Sequence, residues 1–166
     1  MKKILSLFAI AAFTITAFAQ ESDLEQLGKL KAEAKKDSKL VMVKFLMLRS
    51  LGARSSFAND YLMQKNVFLN TDISSLIKDK YLSMSVTKFK TDGKLSPILV
   101  ELKVNAWPTV VVVNADGEEV HRLQGFNAKK FNAKELMAKL NELSKDNAKE
   151  KEESKEESKV EDKKAK

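Results

Sequence analysis

Three side chains of this chain could act as a nucleophile or a base: Ser50, Lys44 and His121. A serine hydroxyl is inert near neutral pH unless a base lies within hydrogen-bond reach. His121 is the sole histidine, and it follows the Asn114-Ala115-Asp116-Gly117 turn, whereas Ser50 follows the first apolar run, so the order of elements keeps the two apart. Ser50 has a plain alternative role as the cap of the helix after it. His121, alone on a strand, reads as a surface residue. There is no cysteine, which removes thiol chemistry, a disulfide framework and a lipidated N-terminal cysteine together. With one His and no Cys, only carboxylates and carbonyls could ligate a metal, and the Asp and Glu residues do not fall in EF-hand spacing. Neither a metal nor a cofactor is expected.

Lys44 interrupts the apolar run Lys39–Met47, "KLVMVKFLM". Either its stem snorkels and carries the ammonium out to solvent, or the amine is partly buried and its pKa is lowered. The other unusual placement is Pro108, which opens the run "TVVVV" although proline cannot donate to a sheet ladder. Beside it stands Trp107, the single tryptophan.

The elements that would position these residues can be read from spacing. Ser22 and Glu25 form a capping box before Leu24, Leu27, Leu30 and Ala34, which recur at helical spacing to about Lys36. Lys39–Met47 is a strand apolar on both faces. A helix through Phe57, Tyr61 and Leu62 follows, then a short helix capped by Asn70 or Thr71. Leu82, Met84 and Val86 alternate with serines as a second strand. "TKFKTDGK" reads as a polar loop, and Ser96-Pro97 starts another short helix. Thr109–Val113 and the residues around Val120 and Leu123 make a hairpin about the Asp-Gly turn. Asn132 and Glu135 repeat the capping pattern before Leu136, Met137, Leu140 and Leu143. The order α-β-α-α-β-α-β-β-α implies an α/β domain, a mixed central sheet with helices on both faces, plus an N-terminal helix.

Both ends differ from this domain. Residues 1–19 read as a signal peptide: Lys2 and Lys3, an apolar Ile4–Phe18, and the small-x-small Ala17-Phe18-Ala19. The apolar run is too short for a stable membrane span after signal removal, so export to the periplasm or medium is expected. Residues 144–166 form a charged low-complexity tail with eight lysines and eight acids, unable to bury enough apolar surface to fold alone and able at most to form a frayed, solvent-exposed helix. The chain has 166 residues and a net charge of +7; with two lysines in the leader and a neutral tail, residues 20–143 carry +5. No Lys/Arg stripe with interleaved aromatics occurs, so nucleic acid is not an expected partner.

This order of elements, with "KLVMVKFLMLRSLGAR", "NVFLNTDISSLIKDKYLSMSV" and "LKVNAWPTVVVVNADGEEVHRLQGF", resembles the thioredoxin-like superfamily over about Leu30–Leu143, and most closely its exported members with an N-terminal extension helix. The resemblance implies a thioredoxin-like fold in which Pro108 is cis and faces the active-site loop. It aligns the family's W-C-x-x-C with Arg49-Ser50-Leu51-Gly52-Ala53, so that Ser50 and Ala53 stand where the two thiols would be, and Lys44 stands where the family has a buried acid. Disulfide exchange requires a thiolate, and this protein is therefore not expected to be a disulfide oxidoreductase.

What the resemblance leaves is peptide binding. The family holds an extended peptide against the backbone before the cis proline, here Ala106-Trp107-Pro108, beside the degenerate loop Arg49, Ser50, Leu51, Gly52, Ala53 and Arg54. Trp107 is then either an exposed anchor beside Leu48, Leu51 and Gly52 or a core residue beneath the loop. The leading expectation is a redox-silent protein of the cell envelope that binds an extended polypeptide or protein partner there. The alternatives are a non-thiol enzyme using Ser50 or Lys44, and a scaffold that acts through its charged tail.

Overall fold

The computed structural model describes residues 22–46, 58–87, 89–91 and 93–164. Residues 1–19, read from the sequence as a signal peptide, and Arg49–Arg54, read as the degenerate active-site loop, lie outside the described residues.

Four strands form one sheet: β1 (Leu40–Phe45), β2 (Tyr81–Val86), β5 (Thr109–Val113) and β6 (Glu119–Gln124). Their order is β2-β1-β5-β6. β1 pairs parallel with β2 and antiparallel with β5, and β5 pairs antiparallel with β6. The helices are α1 (Asp23–Asp37), α2 (Ala58–Met63), α3 (Thr71–Lys80), α4 (Pro97–Glu101) and α5 (Ala133–Lys164), with α2 continuing into a wider π-helical stretch, Gln64–Phe68. No helix among the described residues is long and apolar enough to cross a membrane.

Period-two alternation sorts the strands into two cores. Val41, Val43 and Phe45 of β1, with Met84 and Val86 of β2 and Val111 and Val113 of β5, face α1 and α4 through Leu27, Ala34, Ile98 and Leu99. Leu40 and Met42, with Tyr81, Val110 and Val112, face α2, α3 and α5 through Met63, Ile73, Ile77, Leu136 and Leu140. β1 and β5 are central and covered on both faces, which is why they read as unbroken apolar runs.

Local signals set most boundaries. Ser22 and Glu25 exchange both bonds of the capping box, and the Asn70 side chain accepts from the N–H groups of Asp72 and Ile73 at 3.1 and 3.2 Å. Asn114 closes the β5–β6 turn by accepting from Asp116 and Glu118, and Gly117 adopts φ +95° there.

Two segments differ from the sequence reading. The polar loop after β2 contains a small hairpin, β3 (Lys90–Thr91) with β4 (Lys94–Leu95), turned at Gly93 with φ +77°. It is anchored by Phe89, whose carbonyl accepts from the Ser96 N–H at 3.0 Å and whose ring packs on the core. At the other end, α5 runs without a break across Leu143 into the charged tail. Its Asn147 is buried and donates from Nδ2 to the Ser38 carbonyl at 3.0 Å, which ties the start of the tail back to the end of α1.

Candidate binding site at the cis-proline turn

The turn that enters β5 is built from Asn105, Ala106, Trp107 and Pro108, and the Trp107–Pro108 peptide bond is cis. Three interactions hold it. The Thr109 hydroxyl donates to the Ala106 carbonyl at 2.7 Å, and Thr109 itself is fully buried. The Gly125 N–H donates to the Pro108 carbonyl at 2.7 Å, from a residue with φ +72° at the end of β6. Gln124 Nε2 donates to Asn105 Oδ1 at 3.3 Å. Proline at the mouth of a buried strand is tolerated because the ladder starts one residue later, with Thr109 opposite Phe45 and Gln124.

The backbone of Trp107 is different. Its N–H and C=O have no hydrogen-bond partner among the described residues, although residues on either side are tied down. Buried or half-buried backbone groups are nearly always paired in a folded protein. A half-buried residue whose backbone groups have no partner among the described residues, between neighbours that are hydrogen-bonded, offers an acceptor and a donor to an extended chain.

The Trp107 side chain does not point out as an anchor. It is half-buried, lies edge-to-face with Phe89 at a centroid distance of 5.3 Å, and packs against the α1/α4 core. Its Nε1 is covered and has no hydrogen-bond partner among the described residues. Phe89 was not singled out from sequence, because a lone aromatic in "TKFKTDGK" carries no periodicity.

Lys44 lies on the β1 face that carries Leu40 and Met42, and it is half-buried. Its Nζ sits 5.1 Å from the centre of the Phe68 ring, a cation–π contact, and burial pushes the amine below the ordinary lysine range. The second of the two sequence readings, a partly buried amine with a lowered pKa, is the one the geometry matches: the stem carries the ammonium onto the Phe68 ring.

His121 lies opposite Val112, three residues along the ladder from Thr109, or about 10 Å from the turn by strand rise. It is half-buried rather than a surface residue, with Nε2 covered and without a hydrogen-bond partner among the described residues. Burial lowers its pKa, Lys139 lowers it further, and Glu119 opposes them. It borders a cavity of about 360 Å³ between β6 and α5, lined by Met63, Leu123, Phe126, Phe131 and Leu136. No group of three or more His, Asp or Glu among the described residues is placed to hold a metal ion.

Among the site residues expected from sequence, the structure brings Ala106, Trp107 and Pro108 together and adds Thr109 and Gly125 as their supports. Arg49, Ser50, Leu51, Gly52, Ala53 and Arg54 lie outside the described residues. The supporting glycine was legible as the small residue that ends β6 in "HRLQGF", but its bond to Pro108 was not.

No family sequence model matches the chain, and no curated protein matches it in sequence. Solved structures do. A disulphide isomerase from Xylella fastidiosa Temecula1 superposes with a TM-score of 0.52 at 16% identity, covering 80% of this chain and 99% of that one. The C-terminal domain of DsbD from Neisseria meningitidis, in its oxidised form, gives 0.52 at 17% identity over 75% of this chain and 98% of that one. A DsbH oxidoreductase gives 0.52 at 16% identity over 87% and 94%. At such identities the likeness establishes the fold and leaves the chemistry to be argued from the residues. Cysteine, the residue from which a thiolate would come, is absent from this chain. In fold, this chain is a thioredoxin-like protein.

Proposed function

We propose that this protein is a redox-inactive thioredoxin-fold binding module, exported to the periplasm or the medium, that holds an extended polypeptide against Ala106-Trp107-Pro108. The observation that carries the proposal is the Trp107 backbone, which has no hydrogen-bond partner among the described residues, next to a cis proline whose carbonyl accepts from Gly125. An extended chain can use both free groups at once, as in strand addition. Rigid presentation lowers the ordering cost of binding. Export rests on the leader-like residues 1–19. The degenerate loop Arg49–Arg54 is proposed as the other wall of the site by its alignment with the family's motif, with Arg49 and Arg54 favouring an acidic partner.

Because Trp107 is packed, its replacement would confound binding with folding. The test is photo-crosslinking in the native envelope from a reactive residue at Ala106, which is half-buried beside the free backbone, with Val120, exposed on β6, as the control. A discrete adduct from position 106 and none from 120 is expected. Equal or absent adducts from both positions would remove the peptide-binding reading and leave the charged tail as the next candidate.

A further inference from the structure

Away from the cis-proline turn, the sheet has an edge at β2. β2 is the outermost strand, bonded on one side to β1, and no described strand pairs with its other side. Natural sheets guard such edges with lysine, proline, a bulge or a short strand. Tyr81–Val86 contains no lysine or proline, pairs with β1 in unbroken register over six residues, and exposes Ser83 and Ser85.

The edge is also the floor of a cavity of about 360 Å³. Leu30 and Glu33 of α1 wall it on one face of the sheet, and Ser74 and Lys78 of α3 on the other, so the cavity wraps around the rim of β2. Lys44 and Phe68 form its inner end. Neither Lys44 nor Lys78 has an ion-pair partner among the described residues, and Glu33 is the one acid lining the cavity. Among the described residues, this half-buried ammonium has a ring face as its contact and no counterion.

We propose that the free edge of β2 is a strand-addition site for an extended, acidic segment of a partner protein, one of whose carboxylates sits against Lys44. An added strand would lie two strand spacings, about 10 Å, from the Lys44 backbone. A lysine and a glutamate side chain together span that gap across Ser83 and Ser85. Main-chain bonds to β2 would provide affinity, and the buried cation would select for the acid. The site is separate from the cis-proline turn, which lies beyond β1 at the mouth of β5.

The test uses the full chain and two capped octapeptides, one alternating Val and Glu and one alternating Val and Gln, with binding followed by amide chemical shifts and hydrogen exchange. The Val/Glu peptide is expected to bind, to shift and protect amides of β2, and to bind at least about tenfold tighter than the Val/Gln peptide, as for a charge-assisted bond. Lys44→Met should abolish that difference, while Lys44→Arg should retain it; the two variants have the same need to fold and differ in charge. Equal binding of the two peptides, no binding by either, or retention of the difference in Lys44→Met would overturn the proposal. Shifts centred on Ala106–Pro108 instead of β2 would assign the peptide to the cis-proline turn and overturn it as well.

Discussion

The half-buried His121 couples pH to stability. Its Nε2 is covered and its folded pKa is below the ordinary 6.5. Above 6.5 both folded and unfolded chains carry it neutral. As pH falls below 6.5 the unfolded chain takes up the proton first, so stability is lost down to the folded pKa and then levels off. Thermal melts from pH 7.5 to 5 should therefore show His121→Leu gaining on the wild type as pH falls; parallel curves would mean that the histidine is protonated equally in both states. Trp107 is the second residue to isolate. Because it is half-buried against Phe89, Trp107→Ala should cost about 2–3 kcal/mol in urea unfolding, less than a fully buried tryptophan. The double variant with Phe89→Ala should cost less than the sum of the single changes by about 0.5–1.5 kcal/mol. Strict additivity would show that the ring pair does not couple.

Among the elements, α5 departs furthest from its sequence pattern. The apolar spacing ends at Leu143, yet the helix continues to Lys164. Asn147 explains the first turn beyond that point: its amide replaces apolar packing as the tie to the domain, reaching Ser38, which holds φ +55° as the C-cap of α1. A polar contact of this kind has no period and cannot be read from the chain. Truncation after Lys149 is expected to leave the melting temperature unchanged, whereas truncation after Leu143 should lower stability by about 1 kcal/mol, the worth of one buried hydrogen bond. Equal melting of both truncations would show that Asn147 contributes nothing.

At the scale of the whole molecule, a thioredoxin-like fold is built by a chain that contains no cysteine. β1 and β5 bring Lys44 and the Pro108 turn into one sheet, and the parallel β1–β2 pair forces the crossover that α2 and α3 supply. If the sequence alignment of the degenerate loop is right, Ser50→Cys with Ala53→Cys should close a disulfide under mild oxidation, since cysteines three residues apart at a helix start meet the distance requirement. Two thiols that still titrate freely after oxidation would show that the loop is aligned wrongly.

The sequence alone determined the four strands of the central sheet, most helix starts and the absence of thiol chemistry, because alternation, capping side chains and composition are local properties; the short β3–β4 hairpin it did not. Pro108 was legible as an anomaly for the same reason. Tertiary structure decided what surrounds each unusual residue: that Trp107 turns inward onto Phe89 while its backbone has no partner among the described residues, that Lys44 ends on the Phe68 ring, that His121 is half-buried with its Nε2 covered, and that β2 borders a cavity. These are contacts between segments far apart in the chain, fixed by how the sheet and its two layers of helices pack together, and no spacing along one segment encodes them.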